Sequence, residues 1–402
     1  MRYLQVNTRQ LLQILLLSLQ LHHWSCYSHQ PIHSVSRIFP TVCLDRGRAY
    51  WDYGNQDLEN ENSFWRDVDD FRIIKMIGTG KFGTVFEGVD LAPPNRPDLK
   101  PSSGKRVIIK RLQPTVRPER VKREVHALRL LNQTAGVVKL WGAVQDPSTG
   151  AHSLVMEYLG EDAQWFCHDA GEPLTDFEIR LYLYQLLRVL HKCHSHGIMH
   201  RDVKPRNVLI SPSRHKLTLI DFGLAEFYLP QQRYSCRVAS RHYKGPEVLV
   251  GYGWYDYSLD LWGAGCMMAG LLFHKEPFFR GTNDATQLCA IVNVLGIQGL
   301  LDFLKKYNIK LVKETREALV NLGYAEKKDW RKLKTAENED LCCPEGLDLL
   351  GRLLRYDPAE RLTAKEAMAH PYFDPIRPYF RKKSQVSKGT RANTAFQQKN
   401  KH

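Results

Sequence analysis

The chain has 402 residues, 43% of them hydrophobic and 25% charged, with a formal net charge of +14. That length and balance suit a globular protein with room for two cores and exclude a disordered or fibrous chain. The nine cysteines form no CxxC pair and only Cys342 and Cys343 are adjacent, which excludes a zinc framework or disulfide scaffold and points to a reduced, intracellular protein. After Asp374 come eight Lys or Arg and no acid, so more than half of the positive excess belongs to a tail and says little about the fold.

Residues 1–44 contain no Asp or Glu, and Arg2 and Arg9 stand before the apolar run Leu11-Leu12-Gln13-Ile14-Leu15-Leu16-Leu17-Ser18-Leu19. The run is too short to cross a bilayer, so no stable membrane span is expected. It fits a secretory or organelle targeting segment, although no small-x-small cleavage site follows. A non-targeting amphipathic extension is the alternative. Residues 45–70 are polar but hold Tyr50-Trp51-Asp52-Tyr53, an aromatic density foreign to a disordered linker, so this segment is expected to dock on the rest.

Phe71 to Leu91 reads as two strands around Gly78-Thr79-Gly80-Lys81-Phe82-Gly83-Thr84-Val85. A dinucleotide-binding turn would need a helix after the glycines. Here Thr84 to Val89 alternates as a strand, so the glycines belong to a hairpin tip that can fold over phosphates. Ile77, Gly78, Gly80, Gly83 and Val85 are its candidate nucleotide contacts. Ala92 to Gly104 is a proline-rich loop insertion. Lys105 to Leu112 is a third strand. It holds Lys110, and the helical stretch Glu119–Leu131 after it holds Glu124. Val155 to Leu159 ends a strand and forms a hinge in which Glu157 and Leu159 offer backbone groups to a purine. Thr175 and Glu178 read as a capping box that opens a long helix ending at Gly197.

The next stretch organises the chain. It is His200-Arg201-Asp202-Val203-Lys204-Pro205-Arg206-Asn207, followed by Asp221-Phe222-Gly223. Phosphoryl transfer from a magnesium nucleotide needs this set of groups. Asp202 can accept the proton of an attacking hydroxyl, and Lys204 can steady the travelling phosphoryl group. Asn207 and Asp221 supply hard oxygen ligands to Mg2+. Lys216 to Ile220 alternates like a strand, which would set the two loops side by side at hairpin ends. An HRD triplet alone is a chance match, whereas the full spacing from His200 to Gly223 is specific. Further on, Ser258 is expected to cap an apolar helix whose Asp260 braces the 200–202 turn. Residues 282–340 read as inserted helices and loops. Helices near 344–355 and 363–370 close the larger lobe, and 375–402 reads as a disordered basic tail.

Together these residues resemble a eukaryotic protein kinase from about Asp70 to Phe373. More narrowly, Pro40 to Pro375 is similar to the catalytic α subunit of casein kinase II, in the CMGC group. The specific matches are Tyr50-Trp51-Asp52-Tyr53, His196 to Pro205, Arg237-Val238-Ala239-Ser240-Arg241 with Lys244-Gly245-Pro246-Glu247, Leu353 to Asp357, and His370-Pro371-Tyr372-Phe373. The resemblance implies an α+β bilobal fold over 71–373. Its small β-rich N-lobe with one helix would cover about 71–157, and its mainly helical C-lobe about 160–373. Glu247 and Arg361 would form a buried pair. The resemblance also implies that Lys110 contacts nucleotide phosphates and pairs with Glu124. The sequence departs from the family at Phe222, where tryptophan is usual, at the third glycine Gly83, and at Arg206, where histidine is usual. The cations before Glu124 are thinned to Arg117, Arg120, Lys122 and Arg123, with Glu119 among them.

The implied activity is transfer of the ATP γ-phosphoryl group to Ser or Thr of proteins with acidic residues near the target, with GTP as a second nucleotide. Arg206, Arg237, Arg241 and Lys244 beside the catalytic groups, with Lys81, Lys122 and Arg123 across the cleft, would repel a basic peptide and hold an acidic one. A dimer of regulatory β subunits is the implied partner, with Ile73 and Phe86 at positions similar to that contact. Neither direct nucleic-acid binding nor a membrane span is expected. Nucleus and cytoplasm are the implied compartments unless residues 1–44 direct the chain elsewhere. Arg201 pairs with a loop phosphate in kinases that are switched. Residues 223–247 hold no Thr, although Ser235 and Ser240 remain open to phosphate. The resemblance instead implies a loop held by the Tyr50–Tyr53 segment, and residues 1–40, which lie before that segment, are expected to be dispensable. Two alternatives stay open: another CMGC-type kinase with a regulated loop, and a pseudokinase scaffold, which would need a lost catalytic group.

Overall fold

A computed structural model describes residues 35–55, 64–80, 83–91, 104–166 and 173–380. The apolar run at 11–19, Lys81, all but the end of the 92–104 insertion, and the chain after Phe380 lie outside them. The first lobe is a sheet of β1 (Phe71–Gly80), β2 (Gly83–Asp90), β3 (Arg106–Leu112), β4 (Leu140–Gln145) and β5 (His152–Glu157), plus the short strand Trp65–Arg66. The order across the sheet is Trp65–Arg66, β4, β5, β3, β2, β1. Only the pairing of Trp65–Arg66 with β4 is parallel. Val107 and Ile109 alternate into the core from β3, while edge strand β1 leaves Ile73, Ile74 and Met76 exposed. The insertion leaves and re-enters at one point. Asp90 N–H donates to the Lys105 carbonyl at 2.9 Å, and Gly104 N–H donates to the Asp90 carbonyl at 2.7 Å.

Helix α1 (Pro118–Leu131) lies between the lobes. Proline suits its first turn, where a missing N–H leaves no bond unmade. Val121, Val125 and Leu128 bury one stripe at helical spacing, and Glu124 shares it. A carboxylate on a buried stripe needs a partner, which is what brings α1 to β3.

The second lobe begins with α2 (Asp176–Ser195). Thr175 and Glu178 make the expected capping box, and Gly197 at φ +72° ends the helix. The hairpin β6 (Val208–Ser211) and β7 (Lys216–Leu219) pairs Val208 with Leu219, so the chain before and after it lies together. Helix α3 (Ser258–Leu272) is apolar all round and buried all round. Its cap differs from expectation. Asp256 Oδ1 accepts the Ser258 N–H at 2.7 Å, and Ser258 Oγ is buried without a partner. Ser258 already lies inside the helix, while the Asp256 carboxylate reaches forward two residues.

The rest of this lobe contains α4 (Asp284–Leu295), α5 (Ile297–Lys306), α6 (Lys313–Leu322), α7 (Pro344–Leu353) and α8 (Ala364–Ala369). Arg361 and Glu247 form the expected buried pair through two bonds of 2.6 Å. The stretch expected as tail from 375 is instead helical through Phe380, whose ring lies 4.7 Å from that of Tyr184. A β-rich lobe and a mainly helical lobe, joined after β5, form the α+β bilobal fold that the residues implied. Among the described residues, no single helix is long and apolar enough to cross a membrane.

Candidate active site

The roof of the cleft is the β1–β2 hairpin. Val85 pairs in register with Gly78 on one side and Lys110 on the other, and Ile77 is exposed beside them. The glycines differ in their reasons. A Cβ at Gly83 would collide with the Arg111 carbonyl oxygen, so the start of β2 requires glycine. Among the described residues, a Cβ at Gly78 or Gly80 would meet nothing within 4 Å, and neither has positive φ. Protein packing does not demand those two.

Beneath the roof, Lys110 Nζ donates to Glu124 Oε1 at 2.7 Å and to Asp221 Oδ1 at 2.8 Å. Burial opposes the lysine charge, but the two carboxylates outweigh it and hold the pKa above the ordinary lysine value. Burial likewise opposes the Asp221 charge, and Lys110 outweighs it to hold that carboxyl below its usual range. Asp221 sits at φ +59° and Arg201 at φ +64°, sparsely populated conformations that surrounding contacts must enforce. The brace for Arg201 is Asp260. Its two oxygens accept the His200 and Arg201 N–H groups at 2.9 and 2.7 Å, and His194 Nε2 lies 2.9 Å from Oδ2. Burial alone would raise the Asp260 carboxyl, but these bonds outweigh it and lower the pKa.

On that base the Asp202 carboxylate is held on both oxygens. Lys204 Nζ and Asn207 Nδ2 donate to Oδ2 at 2.7 and 2.9 Å, and Ser240 donates to Oδ1 through its N–H at 2.8 Å and its hydroxyl at 3.0 Å. Lys204 Nζ also reaches Ser240 Oγ at 2.7 Å. In the sequence Ser240 stood as part of the Arg237–Arg241 match and as a place for phosphate. Its hydroxyl is engaged between the base candidate and the lysine, a role that no local spacing announces. Asn207 Nδ2 also donates to the Asp202 carbonyl at 2.8 Å, which turns its Oδ1 away from Asp202. Among the described residues, no group of three His, Cys, Asp or Glu could hold a metal alone. Asn207 Oδ1 and Asp221 offer two hard oxygens instead, which fits a divalent ion that takes its other ligands from phosphates and water.

The hinge carries a clamp that the sequence did not reveal. Glu157 Oε1 accepts the Lys139 N–H at 2.9 Å. From β3, the Arg106 guanidinium stacks 4.1 Å from the centroid of the Tyr158 ring, bonds buried Glu87 on β2, and donates to Glu161 Oε1 at 2.6 Å. From the other lobe, Arg214 bonds the Leu159 carbonyl and lies 3.3 Å from Asp162 Oδ1. Both sides of Glu157-Tyr158-Leu159 are therefore tied by planar cations, one on strand β3 and one in the turn between β6 and β7.

The segment from Asp221 to Gly245 is fixed by contacts from four directions. Arg201 Nε donates to the Leu224 carbonyl at 2.7 Å, and its other nitrogens lie 3.2 Å from Tyr255 Oη and 3.3 Å from Glu226 Oε2. Arg123 donates to the same Glu226 oxygen at 2.6 Å, and Arg120 donates to the Gly223 carbonyl at 2.9 Å. Rings of Tyr50 and Tyr53 lie 6.1 and 6.4 Å from Phe227, and the Tyr50 carbonyl sits 2.6 Å from His126 Nε2 on α1. Residues before Pro40, expected to be dispensable, contribute as well. Ser36 N–H donates to Tyr228 Oη at 2.9 Å, while Arg37 anchors the same stretch outside the segment by donating to the Arg361 carbonyl at 2.7 Å.

The cations expected to read substrate divide. Arg206, Arg237 and Arg241 are exposed, with no ion-pair partner among the described residues. Lys244 Nζ is held by both oxygens of Asp284 at 2.8 Å, and Arg123 is held by Glu226. Those two are neutralised by groups distant in sequence, so they are not free in the way that their spacing implied. Compared with known families, residues 71–373 match the family model described as the protein kinase domain.

Proposed function

The chain belongs to the protein kinase family, and on that premise we propose that it is a serine/threonine kinase of the casein kinase II α type, active as synthesised and directed to acidic proteins. A protein kinase uses ATP with a divalent ion and acts on protein substrates. The finer reading makes the ion Mg2+ and the target a Ser or Thr followed by Asp or Glu. The observation that carries it is the Asp202 carboxylate, fixed by Lys204, Asn207 and Ser240 next to three exposed arginines that have no ion-pair partner among the described residues.

In this reading Gly78 and Gly80 are small because phosphates approach their backbone, and Ile77 and Val85 cover the base. Lys110, steered by Glu124, holds the α- and β-phosphates. Glu157 and Leu159 present backbone groups to the purine, with GTP as a second nucleotide. Bound Mg2+, on Asn207 and Asp221, would neutralise charge on the phosphates. Asp202 Oδ1 or Oδ2 accepts the proton of the target hydroxyl, and Lys204 steadies the transferred group. Ser240 keeps the base and the lysine at hydrogen-bonding distance. The protein contributes positioning and charge, with no covalent step of its own. Arg206, Arg237 and Arg241 select acidic residues near the target, with Lys244 assisting when Asp284 releases it.

Activity without switching is supported by Glu226, which sets a carboxylate before Arg201 where switched kinases use a phosphate. The exposed apolar stripe Ile73, Ile74 and Met76 on β1 supports docking of a regulatory β subunit dimer. Nucleus and cytoplasm are the proposed compartments. The test is a positional peptide library phosphorylated by the purified chain with magnesium ATP. Selection for Asp or Glu after the target, fading as salt rises, is expected. Selection for Arg before the target or Pro after it would refute the reading.

A further inference from the structure

Away from the catalytic cleft, the loop before α7 and the exposed side of α7 enclose a hollow of about 420 Å3. Its floor is Trp330, 8% exposed, with Leu347 beside it. Five cations line it: Lys327, Arg331, Lys334, Arg352 and Arg355. Two acids also line it, and both are already engaged. Arg331 holds Asp329 at 2.5 Å, and Asp348 lies 2.9 Å from both Arg352 and His370. Lys327, Lys334 and Arg355 have no acidic partner among the described residues.

This concentration of charge is more than the composition accounts for. Residues 1–44 hold three Arg and no acid, and the chain after Asp374 holds eight Lys or Arg and no acid. Of the +14 total, only +3 is left for residues 45–374, and the lining of this one hollow nets +3. A solvated face would spread that excess. Here it converges on a concavity of ligand-binding size. Trp330 Nε1 lines the hollow as a donor to which no protein acceptor is bonded among the described residues. A side chain at position 351 would crowd it, because a Cβ on Gly351 would lie 3.2 Å from that nitrogen.

We propose that this hollow is a docking site for an acidic peptide segment of a protein partner or substrate, separate from the cleft that performs phosphoryl transfer. Carboxylates of the segment pair with Lys327, Lys334 and Arg355, one of them accepts the Trp330 N–H, and the stems of the acids lie on the indole and Leu347. The chain's own tail after Asp374 carries no acid and cannot be the occupant. The hollow is too short for a nucleic-acid backbone, which needs an extended basic track.

The test uses the full-length protein and a short fluorescent peptide of Asp, Glu and Gly, which offers no hydroxyl to phosphorylate. Anisotropy should show salt-sensitive binding. Lys334→Glu with Arg355→Glu should weaken it at least tenfold, and Trp330→Phe severalfold. Turnover of short peptide substrates should stay unchanged in both variants, because those substrates end at the catalytic cleft. KM for a long substrate with a distant acidic segment should rise. Arg237→Glu with Arg241→Glu should alter short-peptide selection while leaving the probe bound, so this site and the acid-directed cleft can fail separately. Equal probe binding by wild type and the Lys334/Arg355 variant overturns the proposal. So does loss of the probe only in the Arg237/Arg241 variant, or a hollow that takes a labelled single-stranded oligonucleotide and not the peptide.

Discussion

The floor and the roof of the cleft are built in opposite ways. At the floor, both oxygens of Asp202 have protein partners, and Lys110 and Asp221 are bonded to each other. At the roof, β1 is largely exposed, and a Cβ at Gly78 or Gly80 would meet nothing within 4 Å among the described residues. A preorganised floor costs no reorganisation when charge moves, which is where electrostatic catalysis acts. An open roof can close on whatever binds beneath it. The floor should therefore fail in turnover and the roof in nucleotide affinity, and each substitution below tests that division.

The largest effect is expected at the floor. Asp221→Asn and Lys110→Met should lower turnover by several orders of magnitude while far-UV circular dichroism stays native. Wild-type turnover by the Asp221 variant would remove the floor from the mechanism.

Next comes the strap. Half-buried Tyr50 and Tyr53 should stabilise the Asp221–Gly245 segment by about 2 kcal/mol together, or about thirtyfold in rate. A chain starting at Val35 should keep full activity, one starting at Arg46 should be intermediate, and one starting at Asn55 should lose most. Initial rates, with mass spectrometry showing an unmodified segment, decide it. Equal rates for all three would leave the strap without influence on the floor.

A smaller effect is expected at the hinge. Arg106→Met removes the Tyr158 stack and the bonds to Glu87 and Glu161, and should raise KM for ATP about threefold to tenfold with kcat nearly constant. Arg106→Lys keeps a cation but not the planar stack and should recover only part of the loss. A fall in kcat with KM unchanged would move the clamp's influence from binding to chemistry.

The smallest effect separates two glycines of one motif. Gly80→Ala should leave the melting temperature unchanged and raise KM for ATP about twofold. Gly83→Ala should instead destabilise the fold by about 1–3 kcal/mol, because the methyl meets the Arg111 carbonyl. Equal melting temperatures for the two would contradict the packing distinction.

Much of this site was legible in the chain itself. Asp202, Lys204, Asn207 and Asp221 are linked by one loop and one hairpin, so their spacing nearly dictates their proximity. The strand after Gly83 separated a hairpin from a strand–turn–helix. Glu124 was expected to pair with Lys110 from its place in the helical stretch Glu119–Leu131, and folding puts it on the buried face of α1. Thr175 and Glu178 announced their helix because a capping box is complete within four residues.

Other features were decided only by packing. Ser240 reaches Asp202 across 38 residues, and Glu226 reaches Arg123 across 103. Arg106 meets Glu161 across 55. A composition counts charges but does not say which are spent, so Lys244 and Arg237 look alike until folding puts Asp284 beside one of them. Ser258 looked like a cap because its type and place allowed it, yet the nearby Asp256 carboxylate took the helix N–H. Local sequence sets conformations over a few residues through sterics and short hydrogen bonds. Which distant charge or hydroxyl completes a group depends on how two cores settle against each other, and only the folded chain fixes that.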